Sequence, residues 1–148
     1  MFKKEFVAGW AEMDFNMHMG NAAYLNKAAD TRLMFFSEHG FPGHEFKRLQ
    51  IGPVARKDEL EYFKEINLLD RFSVSFILAG LAEDGSRMSL RNEFFVDETR
   101  LAARVSSLAG WVDMQKRKLV VPPPRLLSAL NKLARAEDFV VLPSSVKP

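Results

Sequence analysis

The chain contains no cysteine. That excludes a disulfide framework, a thiolate metal site and a cysteine nucleophile, and it agrees with an expected cytoplasmic location. A large excess of one charge is also missing: 21 Lys and Arg stand against 19 Asp and Glu, a net charge of +2. Nucleic acid binding by bulk charge is therefore not expected. Long apolar runs are absent too. The longest mostly apolar stretch, 72–82, is too short to span a bilayer and is interrupted by Ser73 and Ser75. The first ten residues carry Lys3 and Lys4 without the apolar run of a signal peptide. These features predict a soluble protein with no membrane partner. Neither a G-x-S-x-G elbow nor a phosphate-cradling P-loop occurs. Asp14 and His18 stand four apart but have no third ligand at a recognisable spacing, so no metal and no separate cofactor are expected.

What is present is ordinary globular material: 148 residues, 47% hydrophobic and 27% charged. That is enough chain for one compact domain over 1–148 with a full core, and too little for two of usual size. Phe2 to Trp10 reads as a strand. A helix is expected from about Asn21 to His39, because Ala22, Leu25, Ala28, Ala29, Leu33, Phe35 and Phe36 fall close to helical spacing. Asn21 has the residue type of an N-cap, Gly40 of a C′ residue and Pro42 of a stop. Strand signals follow. Residues 51–66 hold one or two extended pieces, Leu69-Asp70 marks a turn, and Phe72, Val74, Phe76 and Leu78 recur at every second position, with serines at 73 and 75. Glu83-Asp84-Gly85-Ser86 is a hairpin turn, with return strands at Arg87–Val96 and Leu101–Val112. After the prolines, Leu126 to Ala136 is expected as a terminal helix, with the C-terminal helix and tail starting at about 123. Strand, long helix, then a meander of strands implies an α+β domain with one helix packed on a sheet.

The segment before the long helix concentrates the chemistry. It reads Trp10-Ala-Glu12-Met-Asp14-Phe-Asn16-Met-His18-Met-Gly20-Asn21-Ala-Ala-Tyr24. Two carboxylates, an imidazole, amides and a phenol lie in a short loop that ends at a helix N-terminus. Unpaired N–H groups and the helix dipole favour developing negative charge there. A carboxylate beside such an end can attack a carbonyl carbon or activate water while the N–H groups hold the oxyanion. Asp14 also has the residue type of an Asx turn, Asn21 of a simple cap, and Tyr24 of a packing residue.

This pattern resembles the opening signature of hotdog-fold acyl-CoA thioesterases of the 4-hydroxybenzoyl-CoA thioesterase type. The likeness covers about residues 5–130. It continues through Tyr62 and Asp70 and returns at Arg117-Lys-Leu-Val-Val-Pro122-Pro123. Met17, where relatives often have Gly, and Gly20, where a second Asn is common, depart from it and bear on acyl specificity. The resemblance implies a hotdog fold, a long central α-helix wrapped by a five- to six-stranded antiparallel sheet. It also implies hydrolysis of an acyl-CoA to free acid and coenzyme A by a dimer or dimer of dimers with sites at the subunit interface. Carried onto this chain, Asp14 matches the catalytic carboxylate, as nucleophile or general base. Asn21 marks the oxyanion site at the helix start, and His18 and Tyr24 match supporting positions. Glu12 is a weaker substrate-binding candidate. Arg87, Arg91 and Arg117 have the chemistry to meet coenzyme A phosphates. Phe35, Phe36, Phe41, Phe63 and Met34 are candidates to line the acyl pocket. Two other readings stay open: a hotdog hydratase or dehydratase, for which His44 after Phe41-Pro42-Gly43 is the available histidine, and a non-catalytic acyl-CoA or acyl-carrier binding module.

Overall fold

The computed structural model describes residues 1–146. Strand β1 (Phe2–Val7) leads through a 3₁₀ turn at Trp10–Glu12 into helix α1 (Asn21–Glu38) and the short helix α2 (Gly43–Leu49). Strands β2 (Ile51–Tyr62), β3 (Arg71–Ala82), β4 (Arg87–Val96), β5 (Arg100–Asp113) and β6 (Lys118–Leu119) follow, then α3 (Pro124–Leu130) and β7 (Arg135–Leu142). The sheet order is β1-β3-β4-β5-β2, with β6 added on β5 and β7 on β3. Among the described residues no helix is long and apolar enough to cross a membrane.

Alternation decides which face of the sheet takes the helix. On β4 the side chains of Met88, Leu90, Asn92, Phe94 and Val96 are buried, and the residues between them are partly exposed. The buried face meets α1 through two apolar clusters. One gathers Phe35, Phe36, Phe41 and Phe46 around Trp111. The other gathers Tyr24, Ala28, Ile66, Phe72 and Phe94 beneath the start of α1. A polar link crosses from helix to sheet: Arg32 donates from Nε to Asn92 Oδ1 (2.8 Å) and from Nη2 to Ser107 Oγ (2.7 Å). Ser107 Oγ in turn donates to Asp58 on β2 (2.5 Å). Burial lowers the Arg32 pKa to about 10, so it remains charged at neutral pH, with Asp58 the carboxylate that favours that charge.

The strand, helix and meander reading holds, with several corrections. The sheet has seven strands rather than five or six, and one pairing is parallel. β4 occupies one edge of β3 along nearly its whole length, β1 takes residues 71–76 of the other edge, and β7 fills that edge from Leu78 to Ala82. Backbone groups of β3 left open beyond Phe2, the first residue of β1, thereby find partners. The terminal helix consequently stops at Leu130, and Ala136 lies in β7. Trp10 stands outside β1, in the 3₁₀ turn. Pro42 ends nothing by itself; it is the N-cap of α2. Gly20, not Asn21, caps α1, which makes Asn21 the first helical residue. The phase of α1 is also shifted from the expected one. Thr31 is buried, with Oγ1 donating to the Lys27 carbonyl (2.8 Å), while Leu25, Leu33 and Met34 are exposed. Gly85 has φ +78, and a Cβ there would stand 2.8 Å from Leu127 Cδ1, so the β3–β4 turn requires glycine.

Candidate active site

The loop between the 3₁₀ turn and α1 folds back on itself. Met13 and Met19 form an antiparallel bridge, the Asp14 N–H donates to the His18 carbonyl (2.7 Å), and the Met17 N–H donates to the Asp14 carbonyl (3.0 Å). Met17 takes φ +63 to close the turn. Asp14 Oδ1 accepts the N–H groups of Asn16 (2.8 Å) and His18 (3.2 Å). The Asx-turn role and a chemical role are therefore not alternatives. One carboxylate oxygen builds the loop, and Oδ2 has no hydrogen-bond partner among the described residues.

Asp14 is pressed against the start of α1. A Cβ on Gly20 would stand 3.3 Å from Asp14 Cβ, so the missing side chain permits the approach. The Ala23 and Tyr24 N–H groups both donate to the Gly20 carbonyl (3.0 and 3.3 Å). The N–H groups of Asn21 and Ala22 have no backbone acceptor among the described residues, as expected for the first turn of a helix.

Two clefts meet at this point. One, of about 410 Å³, is lined by Asp14, His18, Met19, Asn21, Tyr24, Tyr62, Phe63, Lys64 and Glu65. The other, of about 580 Å³, shares Asp14 and Asn21 and continues over Glu12, Asn26, Lys27 and Asp30. In the first cleft, burial pushes the Tyr24 phenol up to about 12, helped by Tyr62 and the negative charges of Asp14 and Glu65. Tyr24 is thus a hydrogen-bond donor at neutral pH and not a base. Its ring is held edge-on against Tyr62 (5.5 Å) and Phe94 (5.1 Å). Among the described residues no group of His, Asp and Glu is arranged to hold a metal ion.

The structure therefore brings Asp14, His18, Asn21 and Tyr24 together. Glu12 stands on the far side of Asp14 and is already engaged: Oε1 accepts the Gly9 N–H (2.7 Å) and Oε2 lies 3.6 Å from Lys27 Nζ. Within one chain the three arginines do not converge on Asp14. Arg91 pairs in bidentate fashion with Asp138 (3.0 and 3.1 Å) on the sheet face away from α1. Arg87 begins β4, roughly 30 Å along the strand from Val96 at the end nearer the site. Arg117 sits in the β5–β6 turn beside the start of β2, whereas the cleft lies past the end of β2. Phe35, Phe36 and Phe41 belong to the Trp111 cluster and Met34 is exposed, so of the expected pocket aromatics only Phe63 lines the cleft. Lys64 and Glu65 escape a reading by motif, because a long-range bridge, His18 to Asn67, carries them to the site.

His18 works on Asp14 through its backbone N–H and C=O, and its half-buried ring lines the cleft. His18→Ala keeps both backbone bonds. Any turnover that depends on Asp14 should therefore fall only several-fold in His18→Ala and much further in Asp14→Asn; steady-state kinetics of the two variants side by side checks the ranking.

A long helix lying on a curled sheet, with a carboxylate held at its N-terminus, defines a protein of the hotdog thioesterase fold. The chain belongs to the thioesterase-like superfamily, whose family model matches residues 8–130. No curated protein matches the sequence significantly. Solved structures show the same fold. A hypothetical protein from Staphylococcus aureus, determined in complex with CoA, superposes with a TM-score of 0.80 at 19% identity, covering 99% of this chain and 89% of its own. A 1,4-dihydroxy-2-naphthoyl-CoA thioesterase from Synechocystis gives 0.79 at 16% identity, with 89% and 96% covered. A DHNA-CoA thioesterase from Staphylococcus aureus gives 0.78 at 20% identity, with 88% of each chain covered.

Proposed function

We propose that the protein is an acyl-CoA thioesterase, which releases a free acid and coenzyme A from a thioester. The observation that carries this reading is the state of Asp14. One of its oxygens is fixed by two amides, the other is uncommitted, and the residue packs through Cβ on Gly20, beside a helix start that still has N–H groups to donate. A thioester that spans the two clefts presents its carbonyl at their meeting point. Asp14 then attacks the carbonyl carbon or draws a proton from an attacking water, and the Asn21 and Ala22 amides take the oxyanion. The solved relatives support the substrate class: one was determined with CoA and two are named as acyl-CoA thioesterases. The chemistry needs no cofactor beyond the coenzyme A of the substrate. His44 is exposed on α2, outside both clefts, so nothing here favours a hydratase. A panel of aromatic, short-chain and long-chain acyl-CoAs, read by thiol release, tests the reading. Tight binding without release from any of them would instead make the protein a binding module.

A second copy of the chain completes the site in this proposal. Ala22, Leu25, Ala29 and Leu33 form an exposed apolar stripe on α1 that runs from the clefts along the helix. Strand β2, linked to α1 through Arg32, Ser107 and Asp58, ends the sheet with a free edge and is exposed along most of its twelve residues. An open edge and an apolar helix stripe on one side of the molecule are both relieved by pairing with a like surface. Light scattering should give at least twice the 16.9 kDa chain mass; a stable monomer at micromolar concentration would remove the shared-site model.

A further inference from the structure

The first cleft contains a carboxylate that nothing in the fold uses. Glu65 lines it together with Asp14, His18, Asn21 and Tyr24. Other acidic groups nearby have structural partners. Glu12 caps the 3₁₀ turn, and Asp70 Oδ2 accepts the Asn67 N–H (2.8 Å). Glu65 has no ion pair and no hydrogen bond to its carboxylate among the described residues.

Its backbone, by contrast, is held on both sides. The Lys64 N–H donates to the Ala102 carbonyl (3.0 Å), and the Ile66 carbonyl accepts the Met19 N–H (2.8 Å). The antiparallel bridge between His18 and Asn67 sets the register of this segment against the Asp14 loop. One residue before Ile66, Glu65 lines the same cleft as Asp14, which packs on Gly20. A fixed backbone thus carries a free carboxylate to the edge of the helix start, on the solvent-open side of the cleft. Both carboxylates act electrostatically on the same Tyr24 phenol, which agrees with that placement.

We infer that Glu65 is a second catalytic carboxylate of this cleft, the base for the water that hydrolyses an acyl–Asp14 intermediate. The inference rests on the thioesterase reading of Asp14 and selects its covalent branch. In the first half, Asp14 Oδ2 bonds to the thioester carbonyl carbon, the C–S bond breaks, and coenzyme A leaves as the thiolate. In the second half, water attacks the acyl carbon of the mixed anhydride and gives one proton to Glu65. The bond to Asp14 breaks, the free acid leaves with the other water proton, and Glu65 passes its proton to the thiolate. The sum is thioester plus water to acid plus thiol. Dividing the labour suits the geometry, because Asp14 is consumed as an ester-like group in the first half and is unable to act as a base in the second.

The test uses the full-length wild type, Glu65→Gln, Glu65→Asp and Asp14→Asn with an acyl-CoA that the wild type cleaves. General-base loss is worth about 10²–10⁴-fold, and steady-state turnover of Glu65→Gln should fall by about a hundredfold. Glu65→Asp should keep more of the rate. Rapid mixing of Glu65→Gln should show a burst of about one thiol per site, and intact mass should show the acyl group on the protein. Asp14→Asn should show neither. Turnover of Glu65→Gln within a few-fold of wild type overturns the role of Glu65, as does a slow variant with no burst and no adduct. In either of those cases an inactive Asp14→Asn variant leaves the thioesterase reading standing. If the wild type cleaves no acyl-CoA at all, that reading falls and this one falls with it.

Discussion

Asp14→Asn should lower acyl-CoA turnover by at least about a hundredfold while leaving coenzyme binding largely intact. The substitution is close to isosteric. The asparagine carbonyl oxygen can still accept the Asn16 and His18 N–H groups that Oδ1 accepts now, so the loop between Met13 and Met19 should keep its shape. The amide nitrogen then stands where Oδ2 stands, and it is neither a nucleophile nor a base at neutral pH. General-base help alone contributes about 10²–10⁴-fold, and a covalent route can lose more. Binding should persist because the clefts on either side of Asp14 are lined mostly by other residues. With both loop hydrogen bonds kept, the thermal midpoint should stay close to that of the wild type. Thiol release across a range of substrate concentrations separates kcat from KM, and a calorimetric scan checks the fold. Near wild-type turnover would show that the loop is only a structural turn.

The residues of that loop were legible in the sequence because the chemistry there is local. Asp14, His18, Asn21 and Tyr24 lie within eleven positions, and a hairpin-like turn followed by a helix brings them together without help from the rest of the chain. The other wall of the cleft was legible only in Tyr62 and Phe63, by resemblance and residue type; Lys64 and Glu65 were not foreseen. Tyr62 to Glu65 arrive through strand register, and register is set by pairings among β2, β5 and the 66–67 segment that no local pattern encodes. The same distinction explains the fold. Strands β3, β4 and β5 show alternation or turn chemistry that can be read directly. Strand β7 exists because β3 has an edge to fill, which is a property of the sheet and not of residues 135–142. The phase of α1 went astray for a related reason. Leu25 and Leu33 look like core residues, yet they form the stripe that the single chain leaves uncovered. The arginines show the limit of reasoning from residue type, since Arg91 has the right chemistry for phosphate and spends it on Asp138.

Trp111→Ala should be among the most damaging single changes to stability, with little effect on the chemistry of molecules that remain folded. Trp111 is fully buried, stacked on Phe46 (5.9 Å) and edge-on to Phe36 (5.7 Å). It is the largest side chain of the cluster that joins the C-terminal half of α1, α2 and α3 to the sheet. Truncating a buried Trp costs about 3–5 kcal/mol, through lost transfer free energy and the cavity left behind. Trp111→Phe is the informative control. The indole Nε1–H is buried with no acceptor among the described residues, and an unpaired buried donor costs about 1–3 kcal/mol. Phe removes that donor and keeps most of the aromatic contact, so the two effects should cancel to within about 1 kcal/mol. Urea unfolding followed by circular dichroism at fixed protein concentration should show a large fall in midpoint for Ala and a small shift for Phe. Turnover per folded molecule should stay within a few-fold in both, because Asp14 and Tyr24 are supported by the other cluster, around Ile66, Phe72 and Phe94. A fall in kcat for folded Trp111→Ala as deep as that of Asp14→Asn would mean that α1 transmits the loss, and that the two clusters act as one core.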